Sequence, residues 1–154
     1  MDLMEELRGL MERLTKEGVD FALCGGLAMA IYARPRTTID IDLLILEAGL
    51  EAAKRAAIGA GFTLDAGLMS FRQGKSRIHR MTKVVPDEAE PLMIDFLLVG
   101  PDLQEVWDTR RTVPWTFGTI PVVSREGLIR LKELRGSAQD RVDIDQLKAI
   151  DDED

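Results

Sequence analysis

Two aspartates stand where the surrounding residues are apolar. Asp40 and Asp42 lie in the run TIDIDLLIL (38–46), whose β-branched and apolar residues predict a strand. Because side chains alternate along a strand, both carboxylates point to the same face. Two neighbouring carboxylates repel each other, and burying either one is costly unless its charge is compensated. A divalent cation such as Mg²⁺, which prefers carboxylate oxygens, is the usual compensation.

A third acid stands alone in a second apolar run. Asp95 is the only charged residue of PLMIDFLLV (91–99), which also predicts a strand. If this strand lies beside 38–46, three carboxylates converge at one edge of the sheet, as in a two-metal site for phosphoryl transfer. Asp40, Asp42 and Asp95 are therefore the candidate catalytic and metal-binding residues, with Mg²⁺, or Mn²⁺ in its place, as cofactor. In the alternative, DID is the solvated face of an edge strand and Asp95 is paired with an arginine.

Two glycines precede the first pair of acids. Gly25 and Gly26 follow the apolar run VDFALC (19–24), and thirteen residues, predicted to contain a helix, separate them from Asp40. A glycine turn between a strand and a helix lets backbone N–H groups and the positive helix end approach a phosphate. A plain tight turn is the commoner explanation of two glycines. Here, however, the spacing returns the chain to the same end of the sheet, which favours a phosphate site.

The rest of the pattern predicts the elements that position these residues. Helices are predicted over 2–17, 27–33, 47–59, 102–107, 125–135 and 138–150, and strands over 19–24, 38–46, 91–99, 111–116 and 119–123, with a hairpin or meander over 61–83. This order predicts an α/β (α+β) fold, in which helices pack on a mixed sheet. We expect a single domain over 1–150, followed by an acidic tail over 151–154.

Charge and composition narrow the classes of function. The chain has 154 residues and a net charge of -7, of which residues 143–154 contribute -5. No apolar run approaches the ~20 residues that span a membrane, and a single cysteine fits a reducing compartment, so we expect a cytoplasmic protein with no membrane segment. Residues 72–83 hold five Arg or Lys and no acid, which predicts either a patch that contacts a nucleic-acid backbone or a solvated basic hairpin.

The segment GGLAMAIYARPRTTIDIDLLI resembles the nucleotidyltransferase signature of the DNA polymerase beta superfamily. That signature is a glycine turn, about a dozen residues, an acid–apolar–acid strand and a third acid on a later strand. The form found here looks most like the small bacterial members, which include abortive-infection toxin-type nucleotidyltransferases and antibiotic nucleotidyltransferases. The C-terminal segment LIRLKELRGSAQDRVDIDQL is similar to a helical segment of the same family, so the resemblance covers about residues 19–150.

The resemblance implies a role for each matching residue. Asp40 and Asp42 would bind magnesium, and Asp95 would complete the site and act as general base toward the acceptor hydroxyl. The residues implied in nucleotide binding are Gly25, Gly26, Arg36, Thr38 and Lys132, with the glycines and Lys132 on the phosphates and the other two at the mouth of the site. Asp140 would cap or orient the last helix.

The expected function is transfer of a nucleoside monophosphate from a Mg-bound nucleoside triphosphate to a hydroxyl group, with release of pyrophosphate. The acceptor is an RNA, a protein or a small molecule, and the resemblance to toxin-type members implies an antitoxin as a partner. Three alternatives stay open: a non-catalytic module that binds a nucleotide or a partner, an antibiotic-modifying nucleotidyltransferase, and a metal-dependent glycosyltransferase.

Overall fold

The structure, a computed structural model, describes residues 2–33, 40–71 and 73–150. Its helices are α1 (Leu3–Lys16), α2 (Gly25–Tyr32), α3 (Leu50–Gly59), α4 (Gln104–Asp108), α5 (Arg125–Arg135) and α6 (Ala138–Lys148). Its strands are β1 (Phe21–Cys24), β2 (Asp40–Ile45), β3 (Leu64–Phe71), β4 (Ser76–Lys83), β5 (Leu92–Leu98), β6 (Arg111–Trp115) and β7 (Gly118–Val122). No helix of these residues is long and apolar enough to cross a membrane.

The strands of the described residues form one mixed sheet in the order β3-β4-β5-β2-β1-β7-β6. β2 pairs with β5 in parallel and with β1 in antiparallel orientation, so it lies in the middle of the sheet. β4 pairs with β5 on its other side, also antiparallel. The interpretation of the DID segment as an edge strand is therefore wrong, because β2 has a hydrogen-bonded neighbour on each side.

The side chains of β4 show which helices cover which face of the sheet. Arg77 and Lys83 point to the face covered by α1 and α3, where they pair with Glu47 and Glu6. Lys83 also donates a hydrogen bond to a carbonyl just beyond α3. The face with α1 and α3 carries buried leucines of α1, namely Leu7, Leu10 and Leu14. α5 and the acids of β2 and β5 lie on the opposite face of the sheet.

Helix ends fix the position of α5 and α6. Ser124 accepts a hydrogen bond from the backbone N–H of Gly127 at 2.9 Å, and α5 ends at Gly136 in the left-handed conformation, with φ of 70°. Ser137 and Asp140 form a reciprocal cap at the start of α6. The predicted caps at Ser124, Gly136 and Asp140 are therefore present.

The predicted α/β fold with a mixed sheet is confirmed, and the structure corrects two details. First, α2 begins at Gly25 itself, so the two glycines are the first helical residues and no separate turn precedes the helix. Second, β1 begins at Phe21 and not at residue 19. The tail over 151–154 and the start of the strand predicted from residue 38 lie outside the described residues, and the domain boundary stays a prediction.

Candidate active site

Asp42 and Asp95 lie directly opposite each other on neighbouring strands. The parallel register of β2 and β5 pairs Asp42 with Asp95 and Asp40 with Met93. Because Asp40 and Asp42 are two residues apart on β2, the pleat carries them to the same face. The expectation that strand 91–99 lies beside strand 38–46 is confirmed, and it places all three acids in one region at the centre of the sheet.

Asp42 is held against the start of α2. A Cβ atom added to Gly25 would lie 2.1 Å from Oδ2 of Asp42, and Gly25 has φ of 66°. Both observations restrict this position to glycine, because other side chains avoid that backbone conformation and would collide with the carboxylate. Burial, followed by the negative charges of Asp95 and Asp40, raises the pKa of Asp42 to about 7. The negative charges around Asp42 thus favour a cation nearby.

Asp95 is bound on both oxygens by an arginine of β4. Arg80 donates from Nε to Oδ1 at 2.8 Å and from its terminal nitrogen to Oδ2 at 2.9 Å, and Asp95 is only 8% exposed. This is the bidentate geometry that makes Arg–carboxylate pairs strong. The pairing of Asp95 with an arginine, which belonged to the alternative interpretation, is thus present in a buried position rather than on an edge strand.

The three acids have the oxygen donors that Mg²⁺ prefers, but they are not arranged as a finished cage. Within residues 2–33, 40–71 and 73–150, no group of three ligating side chains could hold a metal ion as it stands. Two of the acids are engaged by other groups, since Asp42 is packed against Gly25 and Asp95 is bound by Arg80. The donor chemistry and the accumulated negative charge fit a divalent cation, provided that Arg80 releases Asp95.

A second charged group links α5 with α6. Nζ of Lys132 lies 2.8 Å from Oδ2 of Asp143 and 3.8 Å from Asp140, and all three side chains are buried. Arg135 binds both oxygens of Asp140 at 2.8 and 2.7 Å. Burial alone would raise the pKa of Asp140, but hydrogen bonds from Arg135 and Ser137 outweigh it and hold that pKa well below its usual range. Lys132 therefore stands beside the site with its ammonium group already bound by carboxylates.

A cavity of about 390 Å³ extends from the acids beneath α5. Asp42, Asp95 and Gly25 line one part of it, and Lys132 and Arg135 are also in its wall. Most of the remaining wall is apolar: Phe71, Ile78, Leu97, Leu128, Leu131 and Leu134. The cavity thus joins a charged end, where the acids are, to an apolar body between the sheet and α5.

Two functional candidates were missed by the sequence analysis, and two predicted ones cannot be placed. Arg80 was identified only as part of the basic stretch, because its contact with Asp95 depends on the register of β4 against β5. Arg135 was missed because its position near Asp42 depends on how α5 crosses the sheet. Its positive charge offsets part of the rise in the pKa of Asp42. Arg36 and Thr38 lie outside the described residues.

The basic stretch over 72–83 does not form a single cationic patch from its described members. Arg77 is paired with Glu47, Arg80 with Asp95 and Lys83 with Glu6, and these pairs lie on both faces of the sheet. Lys75 is exposed near the hairpin turn, and Arg72 is outside the described residues. The observed pairing weakens the interpretation of this stretch as a nucleic-acid contact.

Comparison with protein families matches the chain to the family described as "Nucleotidyl transferase AbiEii toxin, Type IV TA system". The match covers residues 9–145, which is most of the chain and includes every predicted site residue. No curated protein sequence matches the chain closely enough to count as a relative.

Solved structures with the same fold include several nucleotidyltransferases. A protein from Thermotoga maritima assigned as a nucleotidyltransferase is 18% identical with a TM-score of 0.62, over 90% of this chain and 88% of that one. The lincosamide antibiotic adenylyltransferase LnuA, solved with lincomycin bound, is 17% identical with a TM-score of 0.59, over 96% and 97%. The antibiotic-resistance factor ANT(2″)-Ia is 11% identical with a TM-score of 0.64, over 96% and 84%. At these identities the likeness shows the fold, and it agrees with the fold predicted from the sequence.

Proposed function

Since this chain belongs to the AbiEii nucleotidyltransferase toxin family, we propose that it transfers a nucleoside monophosphate from a metal-bound nucleoside triphosphate to a hydroxyl group. The acceptor oxygen attacks the α-phosphorus, the bond to the β-phosphate breaks, pyrophosphate leaves and the hydroxyl proton passes to a base. The observation that carries this proposal is the pairing of Asp42 with Asp95 on adjacent central strands beside Gly25. We also propose that the protein works in the cytoplasm, where nucleoside triphosphates are abundant.

The residues of the site divide the work in the proposed reaction. Gly25 and Gly26 form the first turn of α2, whose free backbone N–H groups are suited to bind phosphate oxygens. Asp40, Asp42 and Asp95 would hold Mg²⁺ or Mn²⁺, which would neutralise the phosphates and polarise the reacting oxygens when bound. Asp95 is also the proposed general base for the acceptor hydroxyl.

Arg80 competes with both tasks of Asp95. Each carboxylate oxygen of Asp95 accepts one hydrogen bond from the guanidinium group, which occupies part of its capacity to bind a metal or a hydroxyl proton. We propose that Arg80 turns from Asp95 toward the incoming phosphates, which offer it the same kind of planar oxygen pair. The positive charge thereby remains within the site.

Lys132, Arg36 and Thr38 are the other residues predicted to bind the nucleotide, and their roles stay proposals. Lys132 is buried and bound to Asp143 at 2.8 Å, so we assign it first to holding α5 on α6. Arg36 and Thr38 belong to the segment that leads into Asp40, which is where a group at the mouth of the site would be expected.

The experiment that tests the proposed function compares Asp42→Asn with Asp20→Asn, which changes an exposed acid away from the site. Each protein is incubated with α-labelled nucleoside triphosphates, Mg²⁺, RNA and a cell extract, and Mn²⁺ binding is measured separately by calorimetry. We expect Asp42→Asn to lose about 100-fold or more in label transfer and in metal affinity. Mutation of a residue that only hydrogen-bonds to a metal ligand already lowers metal affinity or activity by about 10–100-fold. Equal transfer by both variants would contradict the assigned site.

The family description also supports a partner. A type IV toxin–antitoxin family implies an antitoxin encoded with the toxin, and we propose such a protein as the regulator of this chain. The rival function, a non-catalytic module of the same fold, would show metal-dependent nucleotide binding without label transfer to any fraction, in the presence and absence of that partner.

A further inference from the structure

We propose that the cavity beside Asp42 and Asp95 holds the acceptor, and that the acceptor is a small molecule carrying a hydroxyl group on an uncharged, largely apolar body. This inference rests on the proposed nucleotidyl transfer and deepens it by assigning a class of acceptor. The family and the solved structures of similar fold leave that class open.

The walls of the cavity select for an apolar occupant. Ile78 and Leu97 of the sheet face Leu128, Leu131 and Leu134 of α5 across the cavity. Removing apolar surface from water is stabilising, whereas a charged group placed against such walls loses its hydration without compensation. A phosphate-bearing chain is therefore a poor occupant of this part of the site.

The two cations in the cavity wall are already neutralised. Lys132 is bound to Asp143 and Arg135 to both oxygens of Asp140. The cavity thus offers a polyanion little free positive charge, and the triphosphate finds its donors instead at the first turn of α2. The cavity is left for the second substrate.

The position of the cavity relative to the acids suits an acceptor. Leu97 lies two residues beyond Asp95 on β5, and Ile78 is its register partner on β4, so the apolar body begins next to the proposed base. A molecule seated there can direct a hydroxyl to Asp95, while Gly25 and Asp42 close the donor side. The volume of about 390 Å³ lies within the range of 300–1,000 Å³ typical of small-molecule sites.

A macromolecular acceptor would need a different surface. The stretch over 72–83 suggested an RNA contact, but Arg77 and Lys83 pair with acids on the face of the sheet opposite the site, and Arg80 is assigned to the phosphates of the donor. Binding to a nucleic-acid backbone depends on Lys and Arg that neutralise phosphates and release their condensed counterions, and a cation that must first leave an acid gains less from that exchange. The small-molecule class therefore has the stronger structural support.

The first part of the test uses N-phenyl-1-naphthylamine, an uncharged apolar probe whose fluorescence rises in apolar surroundings. Ser76→Trp places a large ring in the cavity from β4, and Leu131→Trp does so from α5. Ser70→Trp is the matched control, since Ser70 is exposed on β3 and does not line the cavity. Folding of every variant is checked by thermal unfolding. We expect the wild type and Ser70→Trp to bind the probe, and at least one cavity variant that folds normally to bind it ten times more weakly.

The second part adds Mg²⁺ and a nucleoside triphosphate to the protein with bound probe. If the cavity belongs to the acceptor, nucleotide and probe bind together and the fluorescence persists. Displacement of the probe by the nucleotide would overturn the inference, because the cavity would then hold the donor. Probe binding that no cavity variant weakens, or no probe binding at all, would overturn it as well.

The third part separates this inference from the proposed function on which it rests. Metal-dependent nucleotide binding by the wild type is measured without any acceptor. Its absence would overturn the proposed function, and the acceptor role of the cavity with it. Nucleotide binding followed by label in RNA or protein would overturn only the acceptor class, and label in the low-molecular-weight fraction, lost in the cavity variants, would support it.

Discussion

Arg80 places a positive charge directly on Asp95 through two hydrogen bonds. In the absence of nucleotide, the guanidinium group competes with a metal ion for the same two oxygens. Arg80→Gln should therefore bind Mn²⁺ more tightly than the wild type does, by about tenfold, since hydrogen bonds between charged groups are worth about 1.5–3 kcal/mol. Calorimetric titration with Mn²⁺ in the absence of nucleotide measures the effect.

Arg77→Gln is the control for this prediction, because Arg77 lies on the same strand but is paired with Glu47 on the other face. Its Mn²⁺ affinity should equal that of the wild type. An unchanged or weaker affinity in Arg80→Gln would mean that Arg80 supports the metal-binding form of Asp95 instead of blocking it.

Gly25 gives a second prediction, which separates backbone strain from a collision with the site. Gly25→Ala places a Cβ atom 2.1 Å from Oδ2 of Asp42, whereas Gly74→Ala meets nothing within 4 Å at a similarly positive φ. Both variants should lose about 1–2 kcal/mol in free energy of unfolding from the left-handed backbone conformation. Only Gly25→Ala should also displace Asp42 and lose Mn²⁺ binding, measured as above. Equal Mn²⁺ affinities in the two variants would contradict the assigned contact.

At the level of residues, the sequence revealed the acids more readily than their partners. Asp42 and Asp95 could be identified because a carboxylate within an apolar strand needs a special reason to be there. Arg80 could not, since an arginine in a basic stretch carries no such conflict and its role depends on the strand register. The position of Arg135 near Asp42 likewise follows from the crossing of α5 over the sheet, which local pattern does not determine.

The pairing of α5 with α6 is the element-level feature with a pH dependence. Asp140 is buried, caps α6 and binds the partly exposed Arg135, so Asp140→Asn should reduce the free energy of unfolding at pH 7 by about 2 kcal/mol, the scale of a lost cap and of a hydrogen bond to a charged group. Because the pKa of Asp140 is lowered by folding, its stabilising effect is complete above the unfolded pKa near 4. That effect is lost progressively as the pH falls from there toward the lower folded value.

Urea unfolding at pH 7 and at pH 3 measures this dependence. The difference between the wild type and Asp140→Asn should be smaller at the lower pH. Asp145→Asn on the same helix is the control, since Asp145 is exposed and its replacement should change the free energy of unfolding little at either pH. A difference that grows toward acid would contradict the assigned role of Asp140.

The types of the helices and strands and most of their boundaries could be predicted from hydrophobic periodicity and helix caps. The order of the strands in the sheet and the packing of the helices on it could not. The caps at Ser124 and Gly136 were readable because a serine and a glycine flank an apolar pattern of helical period. The order of the sheet was not, because both faces of β2 are covered and a strand of that kind carries no sign of which neighbours it has. The glycine pair was predicted as a turn before the helix. In the structure Gly25 alone changes the direction of the chain through its positive φ, and α2 begins at the same residue.

At the scale of the whole molecule, most of the described Arg and Lys residues of the stretch 72–83 form ion pairs with acidic residues elsewhere in the fold. Five free cations on one surface would give single-stranded RNA binding a salt slope of about -3.5, from about -0.7 per neutralised phosphate. Since Arg77, Arg80 and Lys83 are paired, we expect weak binding with a slope nearer to -1, measured by titrating a labelled oligonucleotide at several salt concentrations.

Glu47→Gln frees Arg77 and should steepen the slope, and Glu51→Gln, which changes a neighbouring exposed acid, should do so less. A wild-type slope near -3.5 would mean that RNA draws these cations away from their partners. That result would favour RNA over a small molecule as the acceptor.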